Sequence, residues 1–162
     1  MKNKLYVMCG IPGSGKSTFA KSHFPTALYV SRDEIRFSLV KENEEYFSKE
    51  REVFITFVKQ INEGLREHKD VIADATHLNK KSRNKLLSAL NIDLDKVQIE
   101  IIYLQTPLEL CLKNNETRKD TRSYVPKDVI LNMSRSFQYP SFLECNGLIN
   151  TIHTIKINWN EE

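Results

Sequence analysis

The feature that most constrains this chain is a short apolar run that leads straight into a glycine-rich loop. Residues 5–9 read LYVMC and residues 10–18 read GIPGSGKST. A continuous apolar run is typical of a strand that is buried on both faces of a parallel sheet. Glycine lets the backbone turn tightly, so that its N–H groups point inward at the start of a helix. The pattern predicts a buried strand, an anion-binding loop and a helix.

The loop also carries two chemical groups that a simple turn would not need. It matches the pattern G-x-x-x-x-G-K-[ST], in which Lys16 reaches the β- and γ-phosphates of a nucleotide and the Ser17 hydroxyl ligates Mg²⁺. We therefore expect it to bind a nucleoside triphosphate with Mg²⁺; ATP is the default donor, and no residue excludes GTP. The expected nucleotide-binding residues are Gly10, Pro12, Gly13, Ser14, Gly15, Lys16, Ser17 and Thr18.

Short apolar runs alternate with longer helical patterns along the rest of the chain. Strands are predicted over residues 27–30, 70–74, 97–104 and 151–157. Helices are predicted over residues 16–22, 33–41, 44–68, 79–90, 107–119 and 126–137. Such alternation is typical of βαβ units and of a parallel sheet with right-handed crossovers. Because no repeat or linker divides the chain, we expect one α/β domain over residues 1–162.

Composition excludes several classes of protein. Apolar residues make up 40% of the chain, which is ordinary for a globular protein and too many for a disordered one. The net charge of +3 does not by itself indicate nucleic-acid binding. Three widely spaced cysteines suggest neither a disulfide framework nor a zinc site, and Cys9 is expected to be a small buried side chain. Without a signal peptide or an apolar run of ~18 residues, we expect a cytoplasmic protein.

Acidic residues follow the second and third predicted strands, at the sheet edge where ligands bind in open parallel sheets. Asp33 could accept the proton of an attacking hydroxyl, and Arg36, one helical turn later, could hold an anionic group. The alternative is that Ser31 or Asp33 caps a helix and that Arg36 lies on its surface. Asp74 ends the third run as a Mg²⁺-binding acid would, although a loop-start cap is also consistent with it.

Two further features follow these acids. His77 comes shortly after Asp74, where an ordinary loop histidine is expected more often than a catalytic base. Later in the chain, a basic segment spans residues 113–125, between two predicted helices. It could be a solvated helix face, or a mobile lid whose arginines stabilise the transferring phosphoryl group and whose closure excludes water.

Four segments together, GIPGSGKST, SRDEIR, VIADATHLNKKSR and CLKNNETRKDTRSYVP, resemble the kinase domain of phage-type polynucleotide 5′-kinases. Metabolite kinases and zeta-toxin-like proteins share much of the same framework. The resemblance implies a three-layer, adenylate-kinase-like P-loop NTPase fold. In that fold a five-stranded parallel sheet has helices on both faces and a helical lid, here at approximately residues 113–125.

The resemblance also implies roles for individual residues. Lys16 and Ser17 would serve the donor phosphates and Mg²⁺, and Asp33 would activate the acceptor hydroxyl. Arg36 would hold an acceptor phosphate, and Arg118 would contact the donor phosphates. The lid loop is longer than the family pattern, which makes Arg122 a rival or partner of Arg118. We further expect Thr76 and Arg83 to contact the substrate. Ser17 and Asp74 are expected to bind the magnesium ion.

The leading hypothesis is ATP-dependent transfer of the γ-phosphoryl group to an acceptor hydroxyl, with the 5′-OH of a nucleic acid end as the first candidate. A small-metabolite or antibiotic kinase on the same fold is the nearest alternative. A zeta-toxin-like kinase and a nucleotide-binding regulatory ATPase are weaker ones. DNA and RNA are both open as acceptors, and the sequence carries no signal for an oligomeric state.

Overall fold

A five-stranded parallel sheet forms the centre of the computed structural model, which describes residues 2–158. The strands are β1 (Asn3–Cys9), β2 (Leu28–Ser31), β3 (Val71–Asp74), β4 (Val97–Gln105) and β5 (Thr151–Lys156). The α-helices are α1 (Lys16–His23), α2 (Arg32–Leu39), α3 (Glu50–Arg66), α4 (Lys80–Ala89), α5 (Leu108–Glu116) and α6 (Lys127–Ser136). A single 3₁₀ turn, Cys145–Gly147, precedes β5.

The strand order β2-β3-β1-β4-β5 places β1 in the middle of the sheet. Leu5 of β1 is in register with Val71 on one side and Ile99 on the other. The chain proceeds from β1 to one side of the sheet and later returns to the other, so β1 lies at the point where the strand order reverses. In open parallel sheets this switch point opens a crevice beyond the carboxyl ends of the strands. The glycine loop that follows β1 lies there.

Both faces of the sheet are covered, which gives three layers. Leu5, Val7 and Cys9 point to the face that packs against side chains of α3 and α4. Tyr6 and Met8 point to the opposite face, in the cluster that contains α1 residues. Continuous apolar strands are the expected consequence of burial on both faces. The predicted three-layer α/β fold is confirmed, and Cys9 is buried, which raises the pKa of its thiol to about 12.

The largest difference from the predicted elements is at the start of α3. The sequence predicted a helix from residue 44, whereas α3 begins at Glu50. The preceding residues form turns: the backbone N–H of Glu44 donates to the Lys41 carbonyl, and the Glu44 carboxylate accepts from the Lys41 N–H. Tyr46 therefore lies in a connecting segment, where its hydroxyl reaches α2.

The structure also bears on membranes. Across residues 2–158, each helix is too short or too polar to cross a bilayer.

Candidate active site

The glycine loop between β1 and α1 (residues 10–15) has a backbone that only glycine adopts easily. Gly13 and Gly15 have φ values of +83° and +93°, in the left-handed region. Gly13 also lies directly against α5, because a Cβ added there would collide with the carbonyl oxygen of Cys111. Conformation and space thus both require glycine at position 13.

Two side chains, one just before α5 and one in its last turn, hold the loop in place. The Thr106 hydroxyl donates to the Ser14 carbonyl at 2.7 Å, and the Asn114 side-chain amide donates to the Gly13 carbonyl at 2.9 Å. Both bonds use loop carbonyls and leave the amides of these two residues out of the contact with the α5 region. Neither Thr106 nor Asn114 was predicted, since both lie about a hundred residues away in the sequence and carry no local signal.

The N-terminus of α1 is built to receive an anion. Its N-cap residue, Gly15, supplies no side-chain acceptor, and the first turn contains no acidic residue. The first amides of a helix lack intrahelical acceptors and carry the positive end of the helix dipole. The Lys16 ammonium donates to the Ile11 carbonyl at 3.2 Å, across the mouth of the loop. Burial lowers the pKa of Lys16, while the carboxylates of Asp74 and Asp33 oppose that shift.

The predicted metal ligands Ser17 and Asp74 are brought together. The Ser17 hydroxyl donates to Asp74 Oδ2 at 2.7 Å, and the Tyr29 hydroxyl donates to the same oxygen. Hard oxygen donors beside a phosphate loop fit Mg²⁺, which takes few protein ligands and completes its shell with phosphate and water. Residues 2–158 contain no cluster of three or more His, Cys, Asp or Glu side chains suited to a metal.

Asp33 lies in the first turn of α2 with its side chain 65% exposed. The N-cap of α2 is Ser31, whose hydroxyl accepts from the Glu34 N–H at 3.2 Å, so Asp33 is not needed as a cap. Instead, Asp33 Oδ1 accepts from Arg36 Nη1 at 2.6 Å and from the Tyr46 hydroxyl at 3.3 Å. The carboxylate is therefore held at one oxygen while it faces the crevice.

Arg36 has partners that the sequence did not predict. Its side chain is only 7% exposed, and it forms a two-pronged ion pair with Glu50: Nη2 to Oε1 at 2.6 Å and Nε to Oε2 at 3.2 Å. With Nη1 on Asp33, every guanidinium nitrogen is engaged. Arg36 was predicted to hold an acceptor phosphate; in this structure its guanidinium pairs with Glu50 and Asp33. In this structure Arg36 orients Asp33, and Glu50 neutralises the buried charge.

Arg83 is also not where the prediction placed it. The predicted substrate contact is wrong, because the side chain is 1% exposed and lies beneath the crevice. Its Nε donates to Glu144 at 2.7 Å, Nη1 to the His77 carbonyl at 2.7 Å and Nη2 to the Gln138 carbonyl at 2.9 Å. Arg83 thus ties three segments of the chain together.

The residues after β3 contribute mainly through their backbone. The Thr76 carbonyl accepts from the Gly10 N–H at 3.1 Å, which joins this segment to the glycine loop. His77 is buried, and its Nδ1 lies 2.6 Å from the Met8 carbonyl, so that nitrogen carries the proton. Burial lowers the pKa of His77 to about 4. The imidazole is neutral at physiological pH and forms part of the core around the site.

The predicted lid, the basic segment at 113–125, corresponds to the end of α5 and the turns before α6. Arg122 donates from Nη2 to the Val40 carbonyl at 2.6 Å and from Nη1 to the Phe37 carbonyl at 3.2 Å. Its guanidinium also lies 4.9 Å from the centre of the Phe37 ring. Arg122 therefore contacts the C-terminal end of α2, not the glycine loop. Arg118 lies in the first turn after α5 and is partly exposed.

The chain is also similar in sequence to known proteins. Residues 5–140 match the protein family described as AAA domain. The chain belongs to this family. Its glycine loop with Lys16 and Ser17, together with the five-stranded parallel sheet, gives it a P-loop kinase fold.

One curated relative is similar to nearly the whole chain. The chain is 32% identical to the L-seryl-tRNA(Sec) kinase of Methanococcus maripaludis, over 97% of this chain and 62% of that protein. The chain thus spans less than two-thirds of that relative's length.

Two solved structures share the fold of the P-loop kinase. One, in the Pnkp1/Rnl/Hen1 RNA repair complex, has a TM-score of 0.71 and 25% identity, covering 85% of this chain and 45% of that one. The other, Chaetomium thermophilum Kti12 in complex with ADP-AlF3, has a TM-score of 0.66 and 15% identity, covering 98% and 90%. The Kti12 similarity shows the fold alone.

Proposed function

We propose that this P-loop kinase transfers the γ-phosphoryl group of ATP to a hydroxyl carried by RNA, with the 5′-OH of a polynucleotide end as the first candidate. One observation carries the proposal: Lys16 and Asp33 each lie in the first turn of a helix that follows a strand of the parallel sheet, so both lie at the edge formed by the carboxyl ends of the strands. Burial lowers the pKa of Lys16, and the charge of the exposed Asp33 carboxylate opposes that shift. A carboxylate able to accept a proton from an acceptor hydroxyl thus lies on the same edge as the loop proposed to hold the donor phosphates.

The chemistry that these residues support is an in-line displacement. Asp33 accepts the proton of the acceptor hydroxyl, and the acceptor oxygen forms a bond to the γ-phosphorus. The bond from that phosphorus to the bridging oxygen of ADP breaks, and ADP leaves. Lys16 and Arg118 would neutralise charge on the transferring group. Ser17 and Asp74 would hold Mg²⁺, which would help to neutralise the charge of the donor phosphates.

The similarity to a seryl-tRNA kinase favours a second candidate acceptor, the serine hydroxyl of an aminoacylated tRNA. Both candidates are hydroxyls at the end of an RNA, so a single crevice could serve either one. A sugar or another small alcohol is the outcome that would overturn the proposal. We further propose that the chain forms one kinase domain, with the segment at 113–125 as its lid.

The test compares four acceptors with γ-labelled ATP: a 5′-OH RNA oligomer, a 5′-OH DNA oligomer, seryl-tRNA and a mixture of sugars. We expect label on RNA. Asp33→Asn should lower the transfer rate by ~10²–10⁴-fold with ATP binding retained. Glu34→Gln removes a neighbouring exposed carboxylate of α2 and should leave transfer unchanged. Label on sugars alone, or an active Asp33→Asn variant, would refute the proposal.

A further inference from the structure

On the acceptor side of the crevice, the two arginines predicted to contact the substrate are already paired with carboxylates. Arg36 is engaged by Glu50 and Asp33, and Arg83 is buried against Glu144. Neither arginine that the sequence suggested is available to the phosphates of a nucleic acid. An RNA acceptor still carries a phosphate close to its reacting end, and proteins usually meet such a phosphate with lysine or arginine.

Arg32 is a cation whose hydrogen-bonding capacity is unused. It is the first residue of α2, directly before Asp33, and it is half-buried. Its Nε is buried without a hydrogen-bond partner, and its guanidinium makes no ion pair within 4.0 Å among residues 2–158. Burial lowers the pKa of Arg32. A buried donor without an acceptor costs stability, which a ligand oxygen would restore.

A second cation meets Arg32 at a single aromatic ring. The Arg32 Cζ lies 5.7 Å from the centre of the Phe54 ring on α3, and Lys85 Nζ on α4 lies 4.5 Å from the same centre. Lys85 is exposed and likewise has no carboxylate within 4.0 Å in the described part of the chain. Cation–π contacts position the two charges without using their N–H donors. Arg32 of α2 and Lys85 of α4 thus both contact one ring of α3.

We propose that Arg32 and Lys85 form an anion subsite over Phe54, and that it binds a backbone phosphate of the acceptor strand next to the hydroxyl presented to Asp33. The proposal rests on the RNA acceptor put forward above. Arg32 and Asp33 both lie in the first turn of α2, directly after β2, so a phosphate held by Arg32 would lie at the same edge of the sheet as the carboxylate that receives the reacting hydroxyl. The nearby carboxylates, Asp33 and Glu50, are already engaged by Arg36.

The experiment measures binding rather than turnover. A short single-stranded 5′-OH RNA with a 3′ fluorophore is titrated by fluorescence anisotropy at several salt concentrations. Arg32→Gln and Lys85→Gln should each weaken binding about tenfold, as loss of one charge-assisted hydrogen bond does. Each should also reduce the slope of log affinity against log salt by about 0.7, the value for one lost phosphate contact on a single strand. Lys81→Gln, on the same helix, is the matched control and should behave as the wild type.

The two proposals fail in different ways. If the wild type phosphorylates RNA while both variants keep its affinity and salt slope, the anion subsite is wrong and the kinase proposal stands. If the wild type neither binds nor phosphorylates RNA, both are wrong. If Arg32→Gln does not fold, which loss of its ATP affinity would reveal, the test depends on Lys85→Gln alone. The Lys85 side chain is exposed and takes no part in the core.

Discussion

At the scale of single residues, the metal-binding end of the site depends on one carboxylate oxygen. Asp74 Oδ2 accepts hydroxyl hydrogens from both Ser17 and Tyr29. Tyr29 lies on β2, next to β3 in the sheet, so it reaches Asp74 from the side opposite the glycine loop. A hydrogen-bond donor that lies behind a ligating group fixes the orientation of that group. Tyr29 could not be identified from the sequence, because a tyrosine in a strand is common for packing reasons alone.

Tyr29→Phe tests this arrangement. Without the Tyr29 hydroxyl, only Ser17 holds the Asp74 carboxylate. We therefore expect the Mg²⁺ concentration for half-maximal activity to rise about tenfold. The measurement is a Mg²⁺ titration at saturating ATP. Tyr139→Phe removes the hydroxyl of an exposed tyrosine and should leave the titration unchanged. An unaltered Mg²⁺ dependence in Tyr29→Phe would show that the hydroxyl does not support the site.

His77 makes the stability of the fold depend on pH. In the folded protein its pKa is lowered to about 4, whereas the unfolded chain has the ordinary value near 6.5. The folded state keeps His77 neutral, so its contribution is fully present above pH 6.5. As the pH falls toward 4, the unfolded state binds a proton that the folded state does not, and stability is lost.

The corresponding variant is His77→Asn. Asparagine tolerates the φ of +42° at this position, and it does not titrate. Between pH 7 and pH 5 the wild type should lose about 2 kcal/mol of unfolding free energy that the variant keeps. Urea unfolding at the two pH values measures the difference. His68→Asn is the matched control, since His68 is exposed at a φ of +61°, and it should follow the wild type.

At the scale of elements, α5 and the segment after it connect the two halves of the site. Thr106, just before α5, and Asn114, in its last turn, fix the glycine loop. The segment after α5 reaches the far side, where Arg122 binds carbonyls at the C-terminal end of α2. Positive charge is favourable at that end of a helix. Because α2 also carries Asp33, closure of the proposed lid is linked to the acceptor base.

Arg122→Gln should loosen the contact between the proposed lid and α2. Since a closed lid excludes water, we expect the ratio of ATP hydrolysis to phosphoryl transfer to rise several-fold. Parallel assays of released phosphate and labelled acceptor measure this ratio. Lys119→Gln changes an exposed cation of the same segment and should not alter it. A fall in transfer rate at constant ratio would instead indicate that Arg122 acts on the donor phosphates.

At the scale of the whole molecule, a buried ion pair joins the α4 side of the sheet to the segment before β5. Arg83 and Glu144 are both buried, and their side chains meet at 2.7 Å. Arg83→Met would leave Glu144 as an uncompensated buried charge and should lower the unfolding free energy by about 3–5 kcal/mol. Urea unfolding measures the loss.

The double variant Arg83→Met, Glu144→Leu provides the control for this prediction. With both charges gone, most of the stability should return, because a buried pair contributes little beyond its own desolvation cost. Its KM for the acceptor should equal that of the wild type if Arg83 is structural. A double variant that is stable but has a raised acceptor KM would restore the substrate role that the sequence suggested.

The sequence by itself determined the framework and the donor half of the site. All five strands and six helices were predicted, because alternation of short apolar runs with helical periodicity is a local property of the chain. The glycine loop was predicted for the same reason, since its glycines, Lys16 and Ser17 are contiguous. The position of Asp33 and Asp74 followed from topology, which brings the carboxyl ends of parallel strands to one edge.

The tertiary structure decided which charges remain available to a substrate. Periodicity indicates the face of a helix on which an arginine lies, but not the carboxylate that another element brings to it. Glu50 comes from α3 and Glu144 from the segment before β5, and they engage Arg36 and Arg83. Arg32 and Lys85 have no such partner among residues 2–158. The attraction between two charges weakens with the distance between them, and these elements come close to each other only once the sheet has assembled.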